Sequence, residues 1–88
     1  MQTFETGPGG ARLRYLALPG SGVPLLMIHG LGCAGSYEYP AVALSPALAG
    51  RAVLIVDLMG HGYSDRPEGF GYGITDQARV LAGLVATL

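Results

Sequence analysis

The sequence predicts an α/β fold in three layers, in which an antiparallel hairpin leads into parallel strands with flanking helices. Two apolar runs carry this prediction, LLMI at positions 25–28 and AVLIV at positions 52–56. A strand that is apolar along its whole length is buried on both faces, which is typical of a parallel sheet covered by helices. The segment between the two runs is then the crossover that parallel neighbours require.

The N-terminal segment reads as the hairpin. Residues 2–6 form a short strand candidate, and GPGG at positions 7–10 has the composition of a turn. Residues 12–18 begin with alternating polar and apolar side chains, the period of a half-buried strand. The sequence PGSG at positions 19–22 predicts a second break before the apolar strand at 25–28, and the other apolar strand extends over residues 51–58.

The crossover at positions 37–48 predicts a helix in two parts. Pro40 is compatible with a first helical turn, but Pro46 inside a helix would remove a backbone hydrogen bond. Ser45 followed by Pro46 has the pattern of an N-cap and first helical residue, so we expect a second short piece that ends at Gly50.

The last segment predicts a longer helix, capped by Thr75 and carrying Asp76 in its first turn. Its predicted inner face comprises Ile74, Ala78, Leu81, Val85 and Leu88, with Leu84 beside them. This apolar stripe reaches position 88 with no C-cap glycine and no basic last turn. We therefore expect residues 1–88 to be a partial domain that is truncated at its C-terminus.

Composition excludes several classes of protein. The 50% hydrophobic content and net charge of -1 do not fit a disordered chain. The basic residues are five arginines, and six acids balance them, so no basic face predicts a nucleic-acid or membrane partner. No apolar run approaches the ~20 residues of a membrane-spanning helix, and no secretory signal is visible. A single cysteine cannot form an internal disulfide, which fits a cytoplasmic location.

The first apolar strand is followed by HGLGCAG at positions 29–35, which contains the pattern G-x-G-x-x-G. With Asp57 at the end of the next strand, this pattern is one reading of a dinucleotide-binding βαβ unit. Such a unit needs a straight helix that directs its dipole at the pyrophosphate. The two prolines of the crossover, and the hairpin ahead of the strand, argue against this alternative.

The second apolar strand is followed by DLMGHGYSDRP at positions 57–67. The two pairs together, strand–HGLG and strand–DxxGxGxSDRP, resemble the N-terminal part of the α/β-hydrolase family, upstream of its nucleophile elbow. The resemblance covers essentially the whole of residues 1–88. It implies a spatial strand order of 1-2-4-3, with the strand before His29 at the outer edge.

The resemblance also implies the site. In this family the loop after His-Gly forms part of the oxyanion hole, so the backbone N–H of Leu31 is the expected catalytic donor. Gly30 and Gly32 allow the sharp turn, and His29 and Tyr37 are expected beside the substrate. Leu-Gly follows His-Gly in place of the proline-containing variant of epoxide hydrolases and dehalogenases, which favours an ester, amide or peptide-like substrate. No cofactor and no metal are expected.

The remaining catalytic groups are missing from the sequence. None of the four serines (Ser21, Ser36, Ser45 and Ser64) stands in a G-x-S-x-G elbow. We therefore expect a fragment of a serine hydrolase that is inactive alone and meets its small-molecule substrate only when a C-terminal half is supplied. The alternative from another class is a non-catalytic remnant or an interaction module that pairs with itself through the exposed sheet edge.

Five polar residues in the two loops have structural interpretations. His29 is expected to brace its loop through a ring nitrogen, and His61 to line the entrance of the cleft. Cys33 lacks an orienting group for nucleophilic chemistry and is expected to be a structural thiol. Asp57 is expected to accept N–H bonds from the glycine turn, with Ser64 capping nearby.

Overall fold

The computed structural model describes residues 1–6, 9–30 and 32–88. In chain order its elements are β1 (Gln2–Thr6), β2 (Ala11–Leu18), β3 (Ser21–Met27), α1 (Gly35–Glu38), α2 (Pro40–Ala43), a 3₁₀ helix (Pro46–Leu48), β4 (Arg51–Asp57) and α3 (Ile74–Ala86). None of the helices in these ranges combines the length and apolar character that a bilayer-spanning helix requires.

The strands form one mixed sheet in the order β1-β2-β4-β3, which is the order that the resemblance implies. β1 and β2 form the antiparallel hairpin, and β2 continues antiparallel to β4 with Tyr15 opposite Val56. β3 runs parallel to β4, with Leu26 opposite Leu54. β3 therefore lies at the edge of the sheet, and the carboxyl ends of β3 and β4 point the same way.

Both faces of the sheet carry a core, because successive side chains of β4 point to opposite sides. On one face Val53 and Ile55 pack with Ala43 of the crossover. On the other face Val56 packs with Leu81 and Leu84 of α3, and with residues of the hairpin and the loop after β4. The predicted three-layer α/β class is confirmed, with the sheet between the broken crossover and α3.

The crossover is broken at both prolines, as the sequence predicts. Pro40 is the first residue of α2, and Pro46 is the first residue of the 3₁₀ helix with Ser45 as its N-cap. The Ser45 side chain makes no capping hydrogen bond, and the last piece ends at Leu48 rather than at Gly50. These short pieces still cover one face of β4, since Gly35 of α1 lies directly against the backbone of that strand.

Two strand boundaries differ from the sequence prediction. The break before β3 is confined to positions 19–20, because Ser21 already pairs with Arg51 and donates its N–H to the carbonyl of Gly50 at 2.9 Å. The register shifts between Ser21 and Leu25, where Gly22 has a φ of +80°. An edge strand tolerates this irregularity and Pro24 because its outer side forms no ladder. β4 ends at Asp57, one residue earlier than expected.

The start and inner face of α3 also differ from the prediction. Gly73, not Thr75, is the N-cap, and the carboxylate of Asp76 accepts its N–H at 3.2 Å. The buried face consists of Gln77, Leu81 and Leu84, whereas Ile74 is 91% exposed. Val85 and Leu88 of the predicted stripe are exposed as well. The face that packs on the sheet is therefore rotated from the predicted stripe toward Gln77 and Leu84, with Leu81 common to both.

Candidate functional site

Two loops meet at the carboxyl ends of the two parallel strands. We call residues 28–34 the glycine loop, which follows β3, and residues 58–67 the aspartate loop, which follows β4. In an open α/β sheet this end is where ligands bind. Their contacts with each other and with the sheet define the candidate site.

Asp57 joins three elements at this end of the sheet. Its side chain is buried, with 1% exposure, and its Oδ1 accepts the backbone N–H of Ser36 in α1 at 3.0 Å. Its Oδ2 accepts the Ser36 hydroxyl at 2.8 Å and the N–H of Tyr63 at 3.0 Å. A Cβ at Gly62 would overlap this carboxylate, so the aspartate loop closes tightly around it. The predicted acceptor role of Asp57 in the glycine turn is confirmed and extends to α1.

The aspartate loop is also fixed to the hairpin. The Ser64 hydroxyl donates to the carbonyl of Asp57 and accepts the N–H of Arg14 in β2 at 2.8 Å. Asp65 accepts the N–H of Arg12 at 2.9 Å and its guanidinium Nε at 3.3 Å. These bonds, first the backbone N–H and then the guanidinium, hold the pKa of Asp65 below its ordinary value. The loop is thus attached to β2 as well as to β4.

The two histidines connect the glycine loop with the aspartate loop. His29, 4% exposed, accepts the N–H of Leu58 at its Nε2 (2.9 Å), while its Nδ1 lies 2.7 Å from the carbonyl of Gly30. His61 accepts the N–H of Gly32 at its Nε2 (3.3 Å), while its Nδ1 lies 3.1 Å from the carbonyl of Met59. The structural interpretation of His29 is therefore confirmed, and both rings bind backbone groups.

A cavity of about 610 Å³ opens beside the two histidines, between the loops that follow β3 and β4 and the first two turns of α3. Most of its wall is aliphatic or aromatic, and its lining includes Ile28, His29, Leu58, His61, Tyr72 and Ile74. Gln77 also lines it, but this amide is already paired with the N–H and carbonyl of Met59, at 3.1 and 2.9 Å. His61 lines the cavity as the sequence predicts, and the cavity wall suits an apolar occupant.

The candidate substrate-side residues lie around the glycine loop, and Leu31 lies outside the described residues. Gly32 has a φ of +78°, the left-handed conformation that glycine adopts most readily. A Cβ at Gly30 or Gly32 would meet no described atom within 4 Å, so the space over the loop is open. Tyr37 is 78% exposed and stacks on Tyr63 at a ring distance of 6.4 Å, away from the cavity lining. Its role at a substrate stays a prediction.

Cys33 has the environment of a protonated thiol. A hydrogen bond to Glu38, partial desolvation and the negative charge of Glu38 together raise the pKa of Cys33. Since the thiolate is the nucleophile in cysteine chemistry, these surroundings favour the structural interpretation of this residue. Within residues 1–6, 9–30 and 32–88, no group of three or more His, Cys, Asp or Glu side chains could hold a metal ion.

Comparison with known proteins assigns the family. The model of the alpha/beta hydrolase fold family matches residues 23–88. The chain belongs to the α/β-hydrolase family. The proposed resemblance of the two loop motifs is thereby confirmed, and the dinucleotide alternative loses its support. The short α1 and the engagement of Asp57 by Ser36 and Tyr63 also argue against that alternative.

Several members of the family are similar to the chain. Haloalkane dehalogenase 2 of Mycobacterium bovis is 39% identical over 83 residues, which are 93% of this chain and 27% of the dehalogenase. A 2-hydroxy-6-oxo-2,4-heptadienoate hydrolase of Pseudomonas putida is 31% identical over 78% of the chain and 25% of the hydrolase. The esterase of Exiguobacterium antarcticum superposes with a TM-score of 0.77 at 30% identity, over 99% of this chain and 31% of the esterase. The chain therefore spans about a quarter of the length of the curated relatives that it matches.

Sequence patterns do not point to two of the polar residues that organise this end of the sheet. Ser36 follows the glycine loop without a recognisable motif, yet it gives Asp57 two hydrogen bonds. Gln77 interrupts the buried face of α3 and pairs with the backbone of Met59. A polar residue within an apolar helical face is the one signal that could indicate Gln77, since buried polar groups require a partner.

Proposed function

We propose that the chain is the N-terminal part of a serine hydrolase and supplies one half of its oxyanion hole. The backbone N–H of Leu31 is the proposed donor, and the second donor comes from the residue after the nucleophile, in a C-terminal part. A hydrolase of this kind develops negative charge on a carbonyl oxygen, which preorganised N–H groups stabilise. The substrate proposed is an ester, amide or peptide-like molecule.

The observation that carries this proposal is the placement of the glycine loop. It follows the edge strand β3 at the carboxyl end of the sheet, where a ligand can approach. Gly30 and Gly32 leave the space above their backbone free of described atoms, so a carbonyl group can come close to the main chain. His29, within this loop, and His61, from the aspartate loop, contact its backbone at Gly30 and Gly32.

On this proposal the nucleophile, acid and base lie outside residues 1–88. The hydroxyls of Ser36 and Ser64 both donate hydrogen bonds to Asp57. Neither hydroxyl has a histidine partner among the hydrogen bonds of the described residues. His29 and His61 bind backbone groups through both ring nitrogens. We therefore propose that residues 1–88 do not turn over substrate alone. We also propose a cytoplasmic location, because a single cysteine cannot form an internal disulfide.

A chimera tests the oxyanion role. Residues 1–88 would replace the matching 31% of the Exiguobacterium antarcticum esterase, and hydrolysis of p-nitrophenyl esters would be measured. Gly30→Ala adds a methyl group where no described atom is displaced, and φ at Gly30 lies outside the left-handed region. Folding should therefore survive while the approach to the loop is obstructed. We expect kcat/KM to fall by about 10- to 100-fold, at or below the effect of losing an oxyanion donor.

Gly69→Ala is the matched control, since its Cβ also meets nothing within 4 Å and Gly69 lies far along the chain from the glycine loop. We expect this variant to keep the activity of the unmodified chimera. An active chimera in which Gly30→Ala is as fast as Gly69→Ala would contradict the oxyanion role of the loop.

Two other functions have specific support. The 39% identity to haloalkane dehalogenase 2 favours carbon–halogen hydrolysis as a second candidate, which halide release from haloalkanes by a reconstituted enzyme would test. The unpaired outer side of β3 supports a module that associates with itself. The DNA downstream of codon 88 separates these classes, because a G-x-S-x-G codon pattern followed by acid and histidine codons supports a serine hydrolase. Sedimentation of the purified chain measures self-association directly.

A further inference from the structure

The two histidines form a reciprocal contact between the loops. His29 belongs to the glycine loop and accepts an N–H of the aspartate loop, that of Leu58, at 2.9 Å. His61 belongs to the aspartate loop and accepts an N–H of the glycine loop, that of Gly32, at 3.3 Å. The ring centroids are 5.0 Å apart, with the planes tilted by 54°. Each loop thus donates a backbone N–H to the histidine of the other loop.

These contacts indicate which nitrogen of each neutral ring carries the proton. An Nε2 atom that accepts a backbone N–H must offer a lone pair, so Nε2 carries no proton in either histidine. In the neutral ring the proton is then on Nδ1, which lies against a carbonyl in both cases, Gly30 for His29 and Met59 for His61. Each ring therefore uses one nitrogen to donate and the other to accept, and no ring nitrogen is left for a substrate.

We propose that His29 and His61 are a reciprocal pair of positioning residues, each in the neutral Nδ1–H tautomer, that hold the glycine loop against the aspartate loop. His61 has a further consequence for the loop. Because its Nε2 accepts the Gly32 N–H, that N–H is not available to a substrate oxygen. This last consequence rests on the proposed function, whereas the reciprocal pair itself does not.

The tautomers can be measured on the unmodified chain of 88 residues. Long-range ¹H–¹⁵N correlation spectra of the histidine rings at neutral pH distinguish a nitrogen that carries hydrogen from one that carries a lone pair. We expect a pyrrole-type Nδ1 and a pyridine-type Nε2 in both rings. An Nε2–H tautomer in either ring would overturn the assignment of the pair.

Two substitutions of His61 separate its donor from its acceptor. His61→Gln keeps an acceptor near the position of Nε2, and His61→Asn keeps an N–H near the position of Nδ1 but has no acceptor that reaches Gly32. We expect amide hydrogen exchange at Gly32 to accelerate by about tenfold in His61→Asn, as expected for one lost hydrogen bond. In His61→Gln the exchange rate at Gly32 should stay close to that of the unmodified chain.

His29→Asn is the reciprocal variant, and it should accelerate exchange at Leu58 while leaving Gly32 less affected. Exchange at Val53–Val56 of β4 reports whether each variant is folded. Equal exchange at Gly32 in the two His61 variants would refute the positioning role of His61.

Failure of the pair and failure of the proposed function give different results. Intact tautomers and the expected exchange pattern, together with a chimera in which Gly30→Ala keeps full activity, would uphold the pair and reject the oxyanion role. The reverse pattern would reject the pair alone.

Discussion

The buried carboxylate of Asp57 offers the sharpest test of how the site is held together. It accepts three hydrogen bonds, from the N–H and hydroxyl of Ser36 and from the N–H of Tyr63. Asp57→Asn preserves the shape of the side chain and replaces one acceptor oxygen with an NH₂ group. Either orientation of this amide brings the NH₂ group against a backbone N–H, of Ser36 in one case and of Tyr63 in the other.

The expected loss of stability follows from this mismatch. A buried donor that is left without an acceptor costs about 1–3 kcal/mol, and bonds to a charged acceptor are worth more than bonds to a neutral one. The amide is easier to desolvate than the carboxylate, which offsets part of the loss. We expect Asp57→Asn to lower the free energy of unfolding by about 2–4 kcal/mol. Ser36→Ala, which removes only the hydroxyl, should cost about 0.5–1.5 kcal/mol.

Urea unfolding followed by far-UV circular dichroism at neutral pH measures these differences, provided that the transition is two-state. The double variant shows whether the two residues are coupled, because Ser36→Ala should cost less once the carboxylate is gone. Glu68→Gln is the control, since Glu68 is an exposed carboxylate just beyond the same loop. If Asp57→Asn unfolds at the same urea concentration as the unmodified chain, the carboxylate does not hold the loops.

Three further predictions concern the packing and the pH dependence of the fold. Gly35→Ala should lower the free energy of unfolding by about 2–3 kcal/mol in urea unfolding, because its Cβ would overlap a carbonyl oxygen of β4. Leu84→Ala should cost about 2–4 kcal/mol by the same assay, whereas Val85→Ala, on the exposed side of α3, should cost much less; equal losses would contradict the observed helix face. The backbone N–H and guanidinium of Arg12 lower the pKa of Asp65 in the folded chain. The contribution of this contact to stability is therefore present above the ordinary aspartate pKa and is lost as the pH falls through the lowered value. Urea midpoints measured below about pH 4 should fall less steeply with pH in Asp65→Asn than in the unmodified chain.

The sheet could be predicted from the sequence because its signals are local and strong. Residues 52–56 are apolar without a break, as is typical of a strand buried on both faces, and they lie in β4. Pro40 and Pro46 each begin a new helical piece of the crossover, because a proline lacks the N–H that a position inside a helix needs. The strand order came from the resemblance of the two loop motifs, since apolar runs alone do not say which strands are neighbours.

The face of α3 could not be predicted in the same way. Apolar residues occupy more than one side of this helix, so its period leaves two adjacent faces open. Packing on the sheet buries the face with Leu81 and Leu84. Gln77 is buried on the same face because the backbone of Met59 offers it both a donor and an acceptor. Ile74 and Ala78 of the predicted stripe line the open cavity instead. Contacts between residues 18 positions apart decide which face of α3 is buried, and no local sequence pattern indicates them.

Polar contacts hold the described residues of both loops in a chain that spans about a quarter of its relatives' length. The contacts that fix the two loops come from within the described residues: Asp57 to α1 and the aspartate loop, Ser64 to β2, and the two histidines between the loops. The surfaces that remain open are of a different kind, namely the outer side of β3 and the apolar cavity beside α3. Polar contacts fix angles and distances, whereas open apolar surface stabilises a segment that covers it. Under the proposed function, a C-terminal part would cover this apolar surface and bring the nucleophile to two loops that Asp57, Ser64 and the two histidines already join to the sheet and to each other.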